Sequence, residues 1–297
     1  MIPPLDPGRK TGSQGRAAGS IRRATATASR NAMQLDRIGQ DLAAALRFYS
    51  RLPLPAGRDD PDAFAMPSLD RIAYAIPLAG AVIGLIGALV LVGAMALKLP
   101  AFLASVLAVT ALVLATGAFH EDGLADAADG LGGGRDKAQR LAIMRDSRIG
   151  TYGGCALVLA LLLRVAALEA LVTSAGMLRA ALVLVAAEAA SRAAGVLLLL
   201  ALPPARTDGA GASLGRPSET AGLACGLVAA LLVAVILVPG FGISTAFAGL
   251  IAPLVALVAM MRLSGRLIGG QTGDVAGATQ QVAVIVFLLG VLIFPGR

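Results

Sequence analysis

The chain has 297 residues, of which 57% are hydrophobic and only 14% charged, and its mean hydropathy is +0.80. Apolar runs long enough to cross a hydrocarbon core of about 30 Å recur along it, which excludes a soluble globular protein. The formal net charge of +7 is concentrated in residues 1–40, where seven bases accompany two acids. These bases lack interleaved aromatic residues, so nucleic-acid binding is not predicted.

Residues 1–36 are predicted to form a disordered basic arm, and residues 37–297 a membrane-embedded domain. The arm contains no hydrophobic run, so it is not a secretory signal peptide. A transit peptide has a similar composition, but a cytoplasmic extension beside anionic lipid is the simpler interpretation. Residues 41–50 place apolar and charged positions at helical spacing, which predicts an interfacial helix before the first span.

Seven apolar runs predict seven transmembrane helices, because a helix satisfies its own backbone hydrogen bonds in lipid. The predicted spans are residues 72–97, 101–118, 154–174, 177–202, 219–240, 242–261 and 279–295. The predicted fold is an all-α, polytopic membrane helical bundle. The loops 119–153, 203–218 and 262–278 carry nine bases and the opposite side three, so these loops and the N-terminus are predicted to be cytoplasmic.

Four carboxylates and the only histidine of the chain lie in the stretch HEDGLADAADG, which begins at His120. At about 100° per residue, Asp122, Asp126 and Asp129 share one face of a helix. Three aligned carboxylates suit a hard cation such as Mg²⁺, so they are the predicted metal ligands. A solvated acidic face paired with nearby bases is the alternative. Glu121 points away from this face, so Glu121→Gln is expected to be tolerated.

The next segment, residues 131–154, combines a glycine run with five bases. Glycine-rich backbone and arginine suit phosphate oxygens, so Arg145 and Arg148 are predicted to bind a diphosphate. Asp146 lies between them and is predicted to orient one guanidinium or to bind the metal. A flexible turn whose bases set the membrane topology is the alternative.

Several further polar residues lie in or beside the apolar runs. Arg192 and Glu188 form an i,i+4 pair within a span, which makes Arg192 a candidate for binding a substrate phosphate, with mutual neutralisation as the alternative. Arg164 is expected to snorkel or to pair with another helix. Thr272 and Asp274 are candidates for binding a nucleotide, with a helix-capping turn as the alternative.

Two blocks of sequence, TGAFHEDGLADAADG (116–130) and IMRDSRIGTYGG (143–154), closely resemble the cobalamin synthase family, the adenosylcobinamide-GDP ribazoletransferases. The resemblance continues through FYSRLPLP (48–55), YAIPLAGAVIG (74–84), Ser191-Arg192 and GGQTGDVAGA (269–278). These blocks extend from about residue 40 to residue 280, and the basic arm matches nothing in the family pattern.

The resemblance implies a Mg²⁺-dependent phosphoryl-group transfer that is the last step in the assembly of cobalamin. A ribose hydroxyl of α-ribazole, or of its 5′-phosphate, attacks the cobinamide-side phosphorus of adenosylcobinamide-GDP, and GMP leaves. His120 is then a candidate for taking the hydroxyl proton, with packing or helix capping as the alternative, and Asp129 is a second candidate base. The resemblance also implies a bacterial inner membrane protein in contact with membrane lipid, with a cytoplasmic active site; a homo-oligomer is left open.

Two other functions remain open on the sequence. A transporter of a cation or metabolite would also use acidic residues, but its coupling residues are expected near mid-membrane rather than at one edge. The Asp-Gly pattern is also similar to that of membrane CDP-alcohol phosphotransferases, although the spacing differs and their Ala-Arg pair is missing.

Overall fold

The computed structural model of the protein describes residues 34, 36–54, 67–207 and 215–294. Most of the predicted arm, residues 1–36, lies outside the described residues. The chain divides into two compact units, Met1–Asp41 and Leu42–Arg297. In the first unit, the residues that the structure describes are helical.

The described part of the chain is built from helices and contains no β-strand. The helices are α1 (36–49), α2 (Leu69–Ile72), α3 (Ile76–Ala96), α4 (Ala101–Thr116), α5 (Phe119–Gly133), α6 (Lys137–Ile143), α7 (Thr151–Ala175), α8 (Met177–Ala201), α9 (Glu219–Phe241), α10 (Ile243–Ile268) and α11 (Gly273–Ile293). Six stretches are long and apolar enough to cross a membrane: α2–α3 together, α7, α8, α9, α10 and α11. The structure therefore confirms the all-α multi-pass bundle and six of the predicted spans.

The predicted span 101–118 corresponds to α4, and the structure adds a sharp bend at its end. Helix α4 has only 16 residues and then bends by 89° into α5, so that only the two together have the length and composition of a span. The break has a local cause, because Gly117 (φ +65°) and Ala118 (φ +57°) adopt left-handed backbone conformations. Their N–H groups donate to the carbonyls of Leu114 and Val113, which is the hydrogen-bond pattern of a Schellman helix end. The acidic stretch therefore begins a new helix at an angle to α4.

Helix α8 is the central helix of the bundle. Its most apolar stretch is 83% buried, against 33–56% for the other five spans. It packs closely on α3, where a methyl group at Gly80 would lie 2.5 Å from the carbonyl oxygen of Glu188, and one at Gly84 would lie 2.9 Å from Cα of Val185. This pair of glycines four residues apart is typical of closely packed membrane helices. The close contact places the polar residues of α8 inside the bundle.

The outer helices present apolar side chains to their surroundings. On α9, the residues Leu223, Leu227, Leu231 and Val235 follow one another at intervals of four, and each is more than 60% exposed. A face of this kind is stable when it contacts lipid hydrocarbon rather than water. The bundle therefore has the surface that a membrane protein requires.

Candidate active site

The acidic stretch forms α5, and the helix distributes its side chains around different faces. Asp122 is exposed, Asp126 is half-buried and Asp129 is buried. The side chains of His120 and Glu121 are buried as well. Among the residues that the structure describes, no three His, Cys, Asp or Glu side chains are arranged to hold one metal ion. The three predicted ligands therefore do not form a ready metal cage in this conformation.

Asp129 has structural partners of its own. Its two carboxylate oxygens accept hydrogen bonds from the backbone N–H groups of Gly150 (2.7 Å) and Gly153 (2.8 Å). These groups belong to the beginning of α7, whose first N–H groups have no partner within the helix. A methyl group at Gly150 would lie 2.5 Å from the carboxylate, so the glycines of the IGTYGG segment make room for it. The part of Asp129 in metal binding or proton transfer stays a prediction.

The close packing of α5 on α11 brings Asp274 into the neighbourhood of Asp122. A methyl group at Gly123 would lie 3.1 Å from the carbonyl oxygen of Asp274. Residues 272–275 form the helix-capping turn that was the alternative interpretation of the sequence. Thr272 Oγ1 accepts a hydrogen bond from the N–H of Val275 (3.2 Å) and caps α11. The Asp274 carboxylate accepts hydrogen bonds from Thr272 and from Arg206, each at 3.2 Å.

The carboxylates of Asp122 and Asp274 line one pocket, which we call the Arg192 pocket. Its cavity volume is about 90 Å³, and its walls include Tyr49, His120, Asp122, Arg192, Asp274 and Gln280. The ring of His120 stacks on Tyr49 with centroids 5.5 Å apart and planes at 7°. His120 is therefore a packing residue as well as a pocket residue, so both interpretations of its sequence position remain compatible with the structure. Asp126 lies outside the pocket walls, but Asp122, Asp274 and Asp129 are its neighbouring negative charges.

Behind the Arg192 pocket, four buried charges form one network across three helices. Arg164 Nη1 lies 2.8 Å from Glu121 Oε1, and Arg164 Nη2 lies 3.4 Å from Glu188 Oε1. The other oxygen of Glu188 binds Arg192 Nη1 at 2.5 Å, which confirms the i,i+4 pair. Two acids and two bases balance, as buried charges require.

The network corrects the expectation for Glu121 and adds residues that the sequence analysis missed. Glu121 does point away from Asp122, but it points into the protein and is 7% exposed. Gln281 of α11 donates to Glu121 Oε1 (3.1 Å) and accepts from Arg164 (3.1 Å), and Gln280 donates to Ser191 (3.2 Å). Two glutamines within an apolar span were the sequence feature that could have predicted this buried polar network.

A second pocket adjoins the first on the other side of Asp122, and we call it the Arg51 pocket. Its cavity volume is about 500 Å³, and its walls include Arg47, Ser50, Arg51, Thr116, Phe119 and Asp122. The backbone N–H of Arg51 donates to the carbonyl of Ala115 (2.7 Å) near the end of α4. The sequence analysis did not single out either arginine, although Arg51 stands within the quoted FYSRLPLP block.

The predicted diphosphate clamp lies at the surface. Arg148 and Asp146 form a fork, with Nη2–Oδ2 at 2.6 Å and Nε–Oδ1 at 3.0 Å, so Asp146 does orient a guanidinium. These hydrogen bonds lower the pKa of the Asp146 carboxyl to about 2. Arg145 is exposed, and neither arginine lines the two pockets beside Asp122. Their binding of a diphosphate stays a prediction.

Comparison with known proteins agrees with the resemblance read from the motifs. The family model described as cobalamin-5-phosphate synthase (CobS) matches residues 41–292. An adenosylcobinamide-GDP ribazoletransferase of Xanthobacter autotrophicus is 93% identical over 265 residues, which are 89% of this chain and all of the relative. Proteins of the same name from Azorhizobium caulinodans (59% identity; 88% of this chain, 98% of the relative) and Rhizobium etli (42%; 86% and 97%) are also similar. No solved structure matches the chain. The chain belongs to the cobalamin-5-phosphate synthase family.

Proposed function

We propose that the protein is an adenosylcobinamide-GDP ribazoletransferase, which joins adenosylcobinamide-GDP to α-ribazole or its 5′-phosphate in the last step of cobalamin assembly. The family membership gives the reaction. The observation that carries the assignment to a site is the Arg192 pocket, where two carboxylates lie beside a buried arginine. Acidic ligands and a guanidinium are the groups that phosphoryl transfer uses.

The reaction breaks a phosphoanhydride bond and forms a phosphodiester. An oxygen–phosphorus bond forms between the ribose hydroxyl and the cobinamide-side phosphorus, and the bond from that phosphorus to the bridging oxygen of the diphosphate breaks. GMP leaves with that oxygen, and the hydroxyl gives up its proton. His120, whose imidazole borders the pocket, is the candidate for accepting that proton.

The chain's own residues would position the phosphates. Arg192 is 1% exposed and is held by Glu188, while its Nε has no hydrogen-bond partner among the described residues. A buried donor without a partner costs about 1–3 kcal/mol, so a phosphate oxygen that accepts from it binds favourably. Arg192 would therefore bind the substrate and Glu188 would fix its orientation.

The acidic side chains also fit a divalent cation. Asp122 and Asp274 supply hard oxygen donors on one pocket wall, and Asp126 lies near both. We propose that these three, rather than Asp122, Asp126 and Asp129, hold Mg²⁺ together with substrate phosphate and water. The ion would neutralise negative charge on the diphosphate.

We further propose a bacterial inner membrane location with the active site on the cytoplasmic side, within a shell of membrane lipid. The excess of bases in the predicted cytoplasmic loops supports this orientation. Two of those loops also meet, since Ala205 N–H donates to the carbonyl of Gln271 (2.8 Å) and Arg206 binds Asp274. The Arg192 pocket lies beside this junction.

The proposal is tested with the purified protein in detergent or lipid nanodiscs, given adenosylcobinamide-GDP, α-ribazole and Mg²⁺. We expect GMP and a corrinoid of higher mass, no reaction after chelation, and recovery when Mg²⁺ is added back. Asp122→Asn should lose activity by orders of magnitude, whereas Glu219→Gln, an exposed acid outside both pockets, should retain it. Absence of product under all metal and lipid conditions would refute the assignment, and CMP release from a CDP-alcohol would favour the lipid-enzyme alternative.

A further inference from the structure

Two pockets meet at one wall, and this arrangement bears on how a two-substrate enzyme holds its substrates. The Arg192 pocket and the Arg51 pocket share Phe48, Phe119 and Asp122. Tyr49, His120 and Arg192 line only the first pocket, and Arg47, Ser50 and Arg51 line only the second. Asp122 is the one carboxylate among the described residues that borders both.

The Arg51 pocket has the chemistry of an anion site. Its lining contains the guanidinium group of Arg51 and the side chain of Arg47, together with one carboxylate, that of Asp122. The hydroxyl groups of Ser50 and Thr116 lie in the same lining. Guanidinium groups bind phosphate oxygens through two parallel hydrogen bonds, so a nucleoside diphosphate or monophosphate fits this lining.

The Arg192 pocket has a different character. The charged groups of its lining include two that are already paired, since Arg192 lies 2.5 Å from Glu188 and Asp274 lies 3.2 Å from Arg206. Its walls also carry the stacked rings of Tyr49 and His120, with Phe48 at 4.8 Å from Tyr49 between ring centroids. The whole chain has only 11 Phe and Tyr residues and no Trp, so this concentration of rings is a local feature. A flat aromatic base fits these ring-lined walls, while Asp122, Asp274 and Nε of Arg192 in the same lining can meet the reacting phosphate.

We infer that the two pockets hold the two substrates separately: the GDP arm of the corrinoid substrate lies in the Arg51 pocket, and the aromatic base of α-ribazole lies in the Arg192 pocket. This inference rests on the proposed function and assigns a place to each substrate. The reacting phosphorus then lies at the shared wall, beside Asp122. The ribose oxygen bonds to it from the Arg192 side and gives its proton to a base there, where His120 lies. The bond to the GMP oxygen breaks towards the Arg51 side, and GMP leaves through the Arg51 pocket.

A crossed pair of variants tests the assignment, because Arg51 and Tyr49 each line one pocket only. Arg51→Gln should raise KM for adenosylcobinamide-GDP, and weaken competitive inhibition by GMP, by roughly tenfold or more, since it removes charge-assisted hydrogen bonds to phosphate. Its KM for α-ribazole should change less than about twofold. Tyr49→Leu should show the opposite pattern, and Tyr49→Phe, which keeps the ring, should restore most of the affinity for α-ribazole.

Matched controls separate these effects from general damage. Arg179→Gln removes a positive charge near the opposite end of α8, and Phe247→Leu removes an aromatic ring from the exposed outer face of the bundle. Both should leave the two KM values unchanged. Guanosine and inorganic phosphate, used as inhibitors beside GMP, show whether the nucleoside or the phosphate carries the effect of Arg51→Gln.

The inference is wrong if Arg51→Gln raises KM for α-ribazole, or if it leaves both adenosylcobinamide-GDP binding and GMP inhibition unchanged in a folded, active protein. A Tyr49→Leu variant that loses affinity for adenosylcobinamide-GDP instead of α-ribazole would also overturn it. These outcomes differ from failure of the proposed function, in which the wild-type protein itself forms no product.

Discussion

Removing Arg164 should destabilise the protein strongly, because this residue links two buried acids. Its guanidinium lies 2.8 Å from Glu121 and 3.4 Å from Glu188, and the exposed fractions of these three side chains are 4%, 9% and 2%. Arg164→Met leaves two acids against the one remaining base, Arg192, within the bundle. Removing one partner of a buried ion pair costs about 3–5 kcal/mol, so we expect a loss of that size in the free energy of unfolding.

The double variant Arg164→Met/Glu121→Gln tests whether charge balance is the cause. In the double variant one buried acid, Glu188, again balances one buried base, Arg192. The amide that replaces the Glu121 carboxylate can still form a hydrogen bond with Gln281, which contacts Glu121 in the structure. We therefore expect the double variant to be more stable than Arg164→Met alone, by about 1–3 kcal/mol, which corresponds to the coupling energies of residues in contact. The measurement is reversible unfolding by a denaturing detergent, followed by circular dichroism. The explanation fails if Arg164→Met is as stable as the wild type, or if the two single effects simply add.

Three further predictions concern the helix ends and the orientation. Asp129→Asn should destabilise the beginning of α7 by about 1 kcal/mol, measured as a lower free energy of unfolding. Added Mg²⁺ should partly restore the activity of Asp122→Asn but not that of Asp129→Asn. Equal rescue of both variants would show that Asp129 belongs to the metal site. Gly117→Ala should lower stability by about 1–2 kcal/mol, since φ is +65° and the new methyl group would lie 2.7 Å from Nε of Arg51; an unchanged unfolding midpoint would contradict this. In a variant without Cys155 and Cys225, a cysteine at Arg216 should be labelled only from the cytoplasmic side and one at Ile243 only from outside; reversed labelling of an active protein would invert the topology.

Much of the fold could be predicted from the sequence, because the chain's apolar runs are long and few charges interrupt them. Four of the predicted spans match helix ends to within three residues, such as 177–202 and Met177–Ala201, whereas the helix over 242–261 continues to Ile268 and the one over 279–295 begins at Gly273. The span 101–118 matches α4 in position, but hydropathy does not show that the chain bends by 89° into α5, so that only the two helices together have the length of a span. The left-handed residues Gly117 and Ala118 end α4 within an otherwise apolar run.

The grouping of the candidate site residues could be predicted only in part. The motif segments singled out Asp122, Arg192 and Asp274, and these three line one pocket in the structure. Helical spacing grouped Asp129 with Asp122, but spacing within one helix does not show which neighbouring helix packs against each face. Here the beginning of α7 packs against Asp129 and supplies two N–H donors to it.

By itself, the sequence determined the class of the protein, since hydropathy and charge act along the chain and need no partner to be counted. Composition gave a multi-pass helical membrane protein, and the motif blocks gave its family. Only the tertiary structure decided which charges form pairs, namely Glu121 with Arg164 of α7 and Asp274 with Arg206. It also decided that Asp122 lines two pockets. The two ion pairs join residues 43 and 68 positions apart, and a separation of that size is closed only by the packing of helices such as α3 on α8 and α5 on α11. In a low-dielectric interior such packing has to bring opposite charges together, because an unpaired buried charge costs more than the fold can supply.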